Sequence, residues 1–290
     1  MRRIAHIVNP VIVGEESDLL VAQPVTFKSM VTARDFARGQ VEVELFSAQY
    51  PEDRLLVPAG FRATPDLDRS VLDIGTFRVR RKLPLLSDIL DRLYDATEAE
   101  WLIYTNVDIA LMPHFYLAVD ALIGSGYDAF TINRRSISKA YTRPAELPLM
   151  AAQVGEPHPG HDCFVFARAV YPDYDLGSAC IGAGRVGAIL MLNQIYHARR
   201  FEEFKDLHLT FHIGSDRVHR SPELADYFAH NESQLRKIIK NLNLIENALD
   251  HPYVQRLIRR YGPRSVSERV RAKFRRGPQR LATLISRFRP

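Results

Sequence analysis

The stretch Trp101 to Phe115, WLIYTNVDIALMPHF, begins as an apolar strand, turns polar at Asn106 and Asp108, and reopens as a helix at Met112-Pro113. A short apolar run bounded by polar residues is the pattern of a buried strand. Such a strand carries Asn106 and Asp108 to its carboxyl end, two positions apart. Side chains at that spacing lie on the same side of an extended chain. In open α/β sheets, ligands collect at the carboxyl ends of strands. Two oxygen donors there suit a hard cation, Mn2+ or Mg2+, which also binds phosphate oxygens. Asn and Asp are common in strand-end turns as well, so the segment on its own supports either reading.

Working outward, the preceding sequence alternates strand and helix. The run Ile4 to Val8 (IAHIV) stops at Asn9-Pro10 and predicts a first strand. Helical spacing of Phe27, Met30, Val31 and Phe36 predicts a helix over 25–38, and VEVELFS at 41–47 alternates as a second strand. Residues 50–70 read as loop, and 83–94 as an amphipathic helix with Pro84 in its first turn. A helix follows from Met112-Pro113 to Gly124, then a strand over 127–133. This order predicts an α/β fold with a mixed, mainly parallel sheet between helices. Beyond Asn133 the texture is irregular to 161. A strand at 163–167, a helix over 186–198 and a polar strand over 207–212 come next, and the chain is helical from about Pro222. The expected division is an α/β domain over 1–220, a helical extension over 221–262 and a basic tail over 263–290.

The 290 residues, 46% hydrophobic and 25% charged, are ordinary for a globular chain and exclude a disordered or collagen-like one. Two cysteines, Cys163 and Cys180, are too few for a disulfide framework. The first ten residues lack the apolar core of a signal peptide, which makes a cytoplasmic location the expectation. The net charge of +5 is unevenly placed. From Arg259 to Pro290 eleven Lys and Arg face a single acid, Glu268, whereas the rest of the chain has 28 basic and 33 acidic residues. The body is thus mildly acidic. Over 264–290, Val266, Val270 and Phe274, then Leu281, Leu284, Ile285 and Phe288, form apolar stripes among arginines. Two such short basic amphipathic helices suit an anionic membrane surface, on the inner face in this case, or a packing role on protein. No aromatic or recognition motif accompanies the charge, so nucleic acid is not an expected partner.

The strand, Asn-x-Asp and Pro-led helix of 101–115 resemble the metal-binding DxD signature of GT-A-fold nucleotide-sugar glycosyltransferases. This sequence departs from the signature in having Asn106 at the first acidic position and keeps the second acid, Asp108. The resemblance implies that Asp108 holds Mn2+ or Mg2+ bridging the diphosphate of a nucleotide-sugar donor, with Asn106 assisting or binding the donor's ribose or sugar. In the later segment LHLTFHIGSDRVH at 207–219, His212, Gly214 and Arg217 resemble a shortened His-x-x-Gly-basic pattern. By that likeness His212 completes the metal site and Arg217 neutralises diphosphate. Further candidates by resemblance are Arg81, Lys82 and Asp88 toward the donor, with Asn9 and Pro10 near the base. In HPGHDCFVF at 158–166, His161 and Asp162 stand on the acceptor side, where a carboxylate can serve as a general base or orient the sugar.

Other readings are weaker. His158, His161, His208 and His212 lack both the HExxH glutamate and cysteine partners of a zinc site. Gly182-Ala-Gly184-Arg-Val-Gly187 matches a dinucleotide GxGxxG, with Glu202 twenty residues on, which offers an NAD(P)-dependent oxidoreductase as the alternative. The strand before it would be just three residues long, and no βαβ units follow. There is no P-loop and no serine-hydrolase elbow. The expected activity is metal-dependent transfer of a sugar from a nucleotide diphosphate to a hydroxyl on a glycan or lipid-linked acceptor, as in bacterial surface-polysaccharide or glycolipid assembly. A catalytically inactive GT-A-like scaffold docked on a membrane is the reading from another class.

Overall fold

The run IAHIV pairs on both edges, which is why it tolerates almost no polar side chain. In the computed structural model, which describes residues 1–214, 222–242 and 249–263, it lies within β1 (Arg2–Val8). Strand β1 pairs in parallel with β2 (Val41–Ser47) and β4 (Trp101–Thr105). The one polar residue of IAHIV, His6, is satisfied by Tyr116 Oη and Thr105 Oγ1, each at 2.9 Å, and burial pushes its pKa down to about 3. It is therefore a neutral core histidine. Short β3 (Arg62–Ala63) extends the edge beyond β2.

On the other side of β4 the direction reverses. Strand β7 (Glu156–Ala167) pairs antiparallel with β4 and with β6 (Ala129–Ile137). The outer edge of β6 takes two parallel partners in succession, β8 (Phe201–Phe204) and then β9 (Thr210–Ile213). Strand β9 carries β5 (Ala110–Leu111) antiparallel. The sheet order is β3-β2-β1-β4-β7-β6-β9-β5, with β8 beside β6. This is the mixed, mainly parallel sheet expected. The segment that reads as irregular after Asn133 is longer in strand than its prolines suggest, because β6 runs on to Ile137 and β7 starts at Glu156. Their ladder is interrupted by bulges, which hide the alternation.

Helices α1 (Leu19–Phe36) and α3 (Phe115–Gly124) cover one face, where Phe27, Met30, Phe115 and Tyr116 meet Ile4, Ile103, Cys163 and Val165. The other face carries α2 (Leu86–Ala96) and α5 (Val186–His197). Helix α4 (Leu147–Ala151) packs beside α1 at the β9 end. Two more helices, α6 (Ala225–Asn241) and α7 (Pro252–Tyr261), place Leu235, Ile238, Val254 and Ile258 in the same core cluster as Leu102, Phe164 and Phe166. The helical segment after Pro222 thus shares the core of the α/β body. The free cysteines, Cys163 and Cys180, are both buried. Among the described residues no helix is long and apolar enough to cross a membrane.

Candidate active site

Past Thr105, the last residue of β4 paired with β7, the chain turns. The Ile109 amide donates to the Asn106 carbonyl at 3.1 Å and closes the turn. This turn presents Asp108, whose Oδ2 lies 3.3 Å from His212 Nε2. The histidine arrives on β9 because β5, directly after Asp108, pairs with it through Ala110 and Phe211. His212 Nδ1 is 3.0 Å from the Gly214 carbonyl. A carbonyl is an acceptor, so Nδ1 carries the hydrogen and Nε2 faces the carboxylate. If Nε2 bore a lone pair, two electron-rich atoms would oppose each other, an arrangement that a shared cation relieves, either a proton on Nε2 or a metal ion. Asp108 Oδ1 is buried and takes no hydrogen bond. Burial pushes the Asp108 carboxyl up, but the His212 hydrogen bond and charge, with the charge of Arg134, outweigh it and hold it below its ordinary value.

Imidazole nitrogen, carboxylate oxygen and an unsatisfied second oxygen at one point fit a divalent cation. Among the described residues no group of three or more His, Cys, Asp or Glu gathers to hold a metal. Asp108 and His212 thus supply two donor groups side by side, without a third from another His, Cys, Asp or Glu among the described residues.

Asn106 is drawn to a neighbouring network. Tyr104 Oη donates to Asn106 Oδ1 at 3.2 Å, and Asn106 Nδ2 donates to Asp162 Oδ1 at 3.1 Å. Asp162 Oδ2 is 3.3 Å from Arg134 Nη1, whose side chain is almost wholly buried. Two features of the ladder produce this. Ile132 pairs with Cys163 but Asn133 pairs with His161, so Asp162 is an extra residue on β7. Such a bulge breaks the strict alternation of faces and re-aims side chains. His161, which would otherwise share the face of Cys163, turns instead to the α5 and α7 side. There its ring meets Tyr253 edge-on, with centroids 5.3 Å apart.

On that face His161 Nε2 lies 3.0 Å from Glu203 Oε1 on β8, and Asn133 Nδ2 donates to the same oxygen at 3.2 Å. The His161 hydrogen bond, foremost, with Asn133 and Lys205, outweighs burial and holds the Glu203 carboxyl down at about 2. Glu203, Asn133 and Arg134 escape a reading of the sequence alone. The one cue is the pair Arg134-Arg135 inside an otherwise apolar strand, since consecutive buried arginines need acidic partners.

The donor-side candidates lie along β1, β2 and α2. Asn9 is buried at the end of β1 and donates to the Ala48 carbonyl; Pro10 beside it is buried as well. Asp88, on α2, is clasped by Arg69 through both oxygens at 2.6 and 2.8 Å. Lys82 Nζ bonds Glu52 at 2.6 Å and sits 3.8 Å above the Tyr50 ring. Arg81 pairs with Glu223 at 2.6 Å, while its amide donates to Tyr227 Oη on α6. These side chains are thus engaged within the protein rather than gathered at Asp108. Arg217 lies outside the described residues.

The GxGxxG glycines have a packing role. A Cβ on Gly184 would stand 2.0 Å from the Phe228 ring of α6, and one on Gly187 would stand 2.9 Å from the His161 carbonyl. They permit close approach of the α5 entry to α6 and β7 and leave no cradle there for a pyrophosphate. The segment before them supplies a single bridge, Leu85 with Cys180, in place of a strand.

Together the sheet order, the antiparallel β7 and the layered helices define a GT-A-like α/β fold, and the solved structures it resembles agree. The fragment 1–349 of S. aureus TarS in complex with UDP-GlcNAc matches with a TM-score of 0.53 at 10% identity, over 90% of this chain and 71% of that one. The same fragment with UDP matches at 0.52 and 11% identity, over 92% and 72%. A glucosyl-3-phosphoglycerate synthase from Mycobacterium tuberculosis matches at 0.45 and 15% identity, over 81% and 79%. No family model and no curated protein matches the sequence.

Proposed function

We propose that the chain is a metal-dependent glycosyltransferase that moves a sugar from a nucleotide diphosphate to a hydroxyl of a glycan or lipid-linked acceptor. The observation that carries this reading is the Asp108 carboxylate facing His212 Nε2 at 3.3 Å, with its second oxygen buried and unbonded, at the carboxyl end of the central strands. The likeness of the fold to TarS, solved with UDP-GlcNAc and with UDP, supports it.

In this reading Asp108 and His212 hold Mn2+ or Mg2+, and the metal, when bound, offsets charge developing on the departing diphosphate. Asn106 and Arg134 hold the Asp162 carboxylate in place, and Asp162 orients a sugar or acceptor hydroxyl. Asn9 and Pro10 line the approach to the base, with Lys82, Arg81 and Asp88 along the same donor side and Arg217 toward the diphosphate. The basic segment 264–290 brings the enzyme to the inner face of an anionic membrane, where lipid-linked acceptors of surface-polysaccharide or glycolipid assembly reside.

A thermal-shift series of nucleoside diphosphates with and without Mn2+ tests the reading. Stabilisation by at least one diphosphate, enhanced by Mn2+ and lost in Asp108→Ala, is the expected result. A metal-dependent shift unchanged by Asp108→Ala removes the site assignment. A shift given by NAD(H) alone removes the function.

A further inference from the structure

The bulge that turns His161 toward Glu203 creates a second pair of functional groups beside Asp162, one that the donor and metal chemistry does not use. Asp162 is bonded by Asn106 through one oxygen, and its other oxygen, buried and without a hydrogen bond, stands 3.3 Å from Arg134 Nη1. His161 is different. Its Nε2 is held at 3.0 Å by Glu203, and among the described residues its Nδ1 takes no hydrogen bond. A carboxylate that orients one ring nitrogen and leaves the other to accept a proton is the base–orienter arrangement of hydrolytic enzymes.

We propose that Glu203 is a positioning residue that fixes His161 with the hydrogen on Nε2, so that His161 Nδ1 takes the proton of the acceptor hydroxyl. The proposal rests on the glycosyltransferase reading above. In the step, the acceptor oxygen bonds to the anomeric carbon, the bond from that carbon to the diphosphate breaks with its electron pair on the diphosphate, and the hydroxyl proton passes to Nδ1. The imidazolium is stabilised by Glu203 and returns its proton to water after the product leaves. Several groups set the field at the ring. Glu203 is ion-paired with Lys205 at 3.7 Å and bonded by Asn133, Tyr253 of α7 stands edge-on to the ring, and Asp162 is the next residue along β7. Burial above all pushes the Tyr253 hydroxyl well above its ordinary value, and Glu203 is the carboxylate bonded to the imidazole.

The test uses the full-length chain with Mn2+ and the nucleotide sugar that its diphosphate selects. His161→Ala is expected to lower kcat by about 10²–10⁴-fold, the usual range for a general base, and Glu203→Gln by about tenfold or more, with donor KM and Mn2+-dependent UDP stabilisation unchanged. The double variant should be no slower than His161→Ala, and Glu203→Asp should recover part of the loss. In wild type, imidazole nitrogen NMR shifts of His161 should report the Nε2–H tautomer, and in Glu203→Gln a mixture. A kcat unchanged in Glu203→Gln, additive losses in the double variant, or a tautomer unaffected by Glu203 overturns the proposal. Loss of Mn2+-dependent UDP binding in both variants assigns the pair to the fold instead. Absence of nucleotide binding in wild type overturns the glycosyltransferase reading itself, whereas the tautomer measurement still decides the Glu203 role.

Discussion

Asp108 illustrates how one side chain draws its character from residues far away in sequence. Burial pushes its carboxyl up, and the His212 hydrogen bond and charge, with the charge of Arg134, outweigh that and hold it below its ordinary value. Arg134 has a second duty at Asp162, with which it forms a nearly buried pair. Removing one member of such a pair strands the other charge. Arg134→Met is therefore expected to cost roughly 3 kcal/mol in urea unfolding, and adding Asp162→Asn should recover part of that loss. Glu203 makes a pH prediction. Its pKa falls from 4.5 to about 2 on folding, so its contribution is complete above pH 4.5 and is lost as pH falls toward 2. Glu203→Gln should flatten the acid limb of a stability-against-pH curve over that window and leave the neutral region parallel to wild type.

At the scale of elements, how much the sequence tells depends on whether the cue is local. Strand β4, its Asn-x-Asp turn and helix α2 are legible because apolar runs and helical spacing act within a dozen residues. Asp108 and His212, chosen as metal candidates, do meet, since β5 follows the turn at once and hydrogen-bonds to β9. Strand β8 and the bulge at Asp162 are not legible. FEEF has no clear alternation, and a bulge is set by the partner strand, which the local sequence does not contain. The same applies to Asp88 and Lys82, whose partners Arg69 and Glu52 come from a loop without periodicity. The GxGxxG run shows the reverse error, a local pattern whose cause is tertiary. Gly184→Val should overpack against Phe228 and destabilise by about 1–3 kcal/mol in thermal or urea unfolding, with a shortened residue at 228 restoring part of it. Mn2+-dependent nucleotide binding should survive in the folded fraction.

For the whole molecule, charge and core divide the chain at different places. The apolar contacts of α6 and α7 are part of the central core, so truncation after residue 221 should abolish cooperative folding. The strongest concentration of charge, by contrast, begins at Arg259 and continues through the tail. Truncation after residue 263 is expected to leave the unfolding transition and nucleotide binding intact while lowering affinity for vesicles that contain anionic lipid, as each basic residue near such a surface contributes about 1 kcal/mol. Equal binding of the truncated and full chains to those vesicles, measured by cosedimentation, would assign the segment to protein contacts instead.

The extra residue in β7 also shows how a strand gains a functional group without changing its register. Replacing Asp162 by Ala removes a carboxylate and leaves Phe164 and Phe166 in the core. Deleting the codon would remove the offset between the Ile132–Cys163 and Asn133–His161 pairs. The two flanks would then join as a regular ladder, Ile132 with Cys163 and Asn133 with His161, and strand alternation alone would keep His161 and Cys163 on opposite faces. His161 would stay on the Glu203 side and the phenylalanines in the core, while the carboxylate beside Asn106 and Arg134 would be gone. The bulge thus adds a carboxylate to the strand without moving the pairs on either side of it, and what its loss would leave behind is the buried Arg134 guanidinium without that partner.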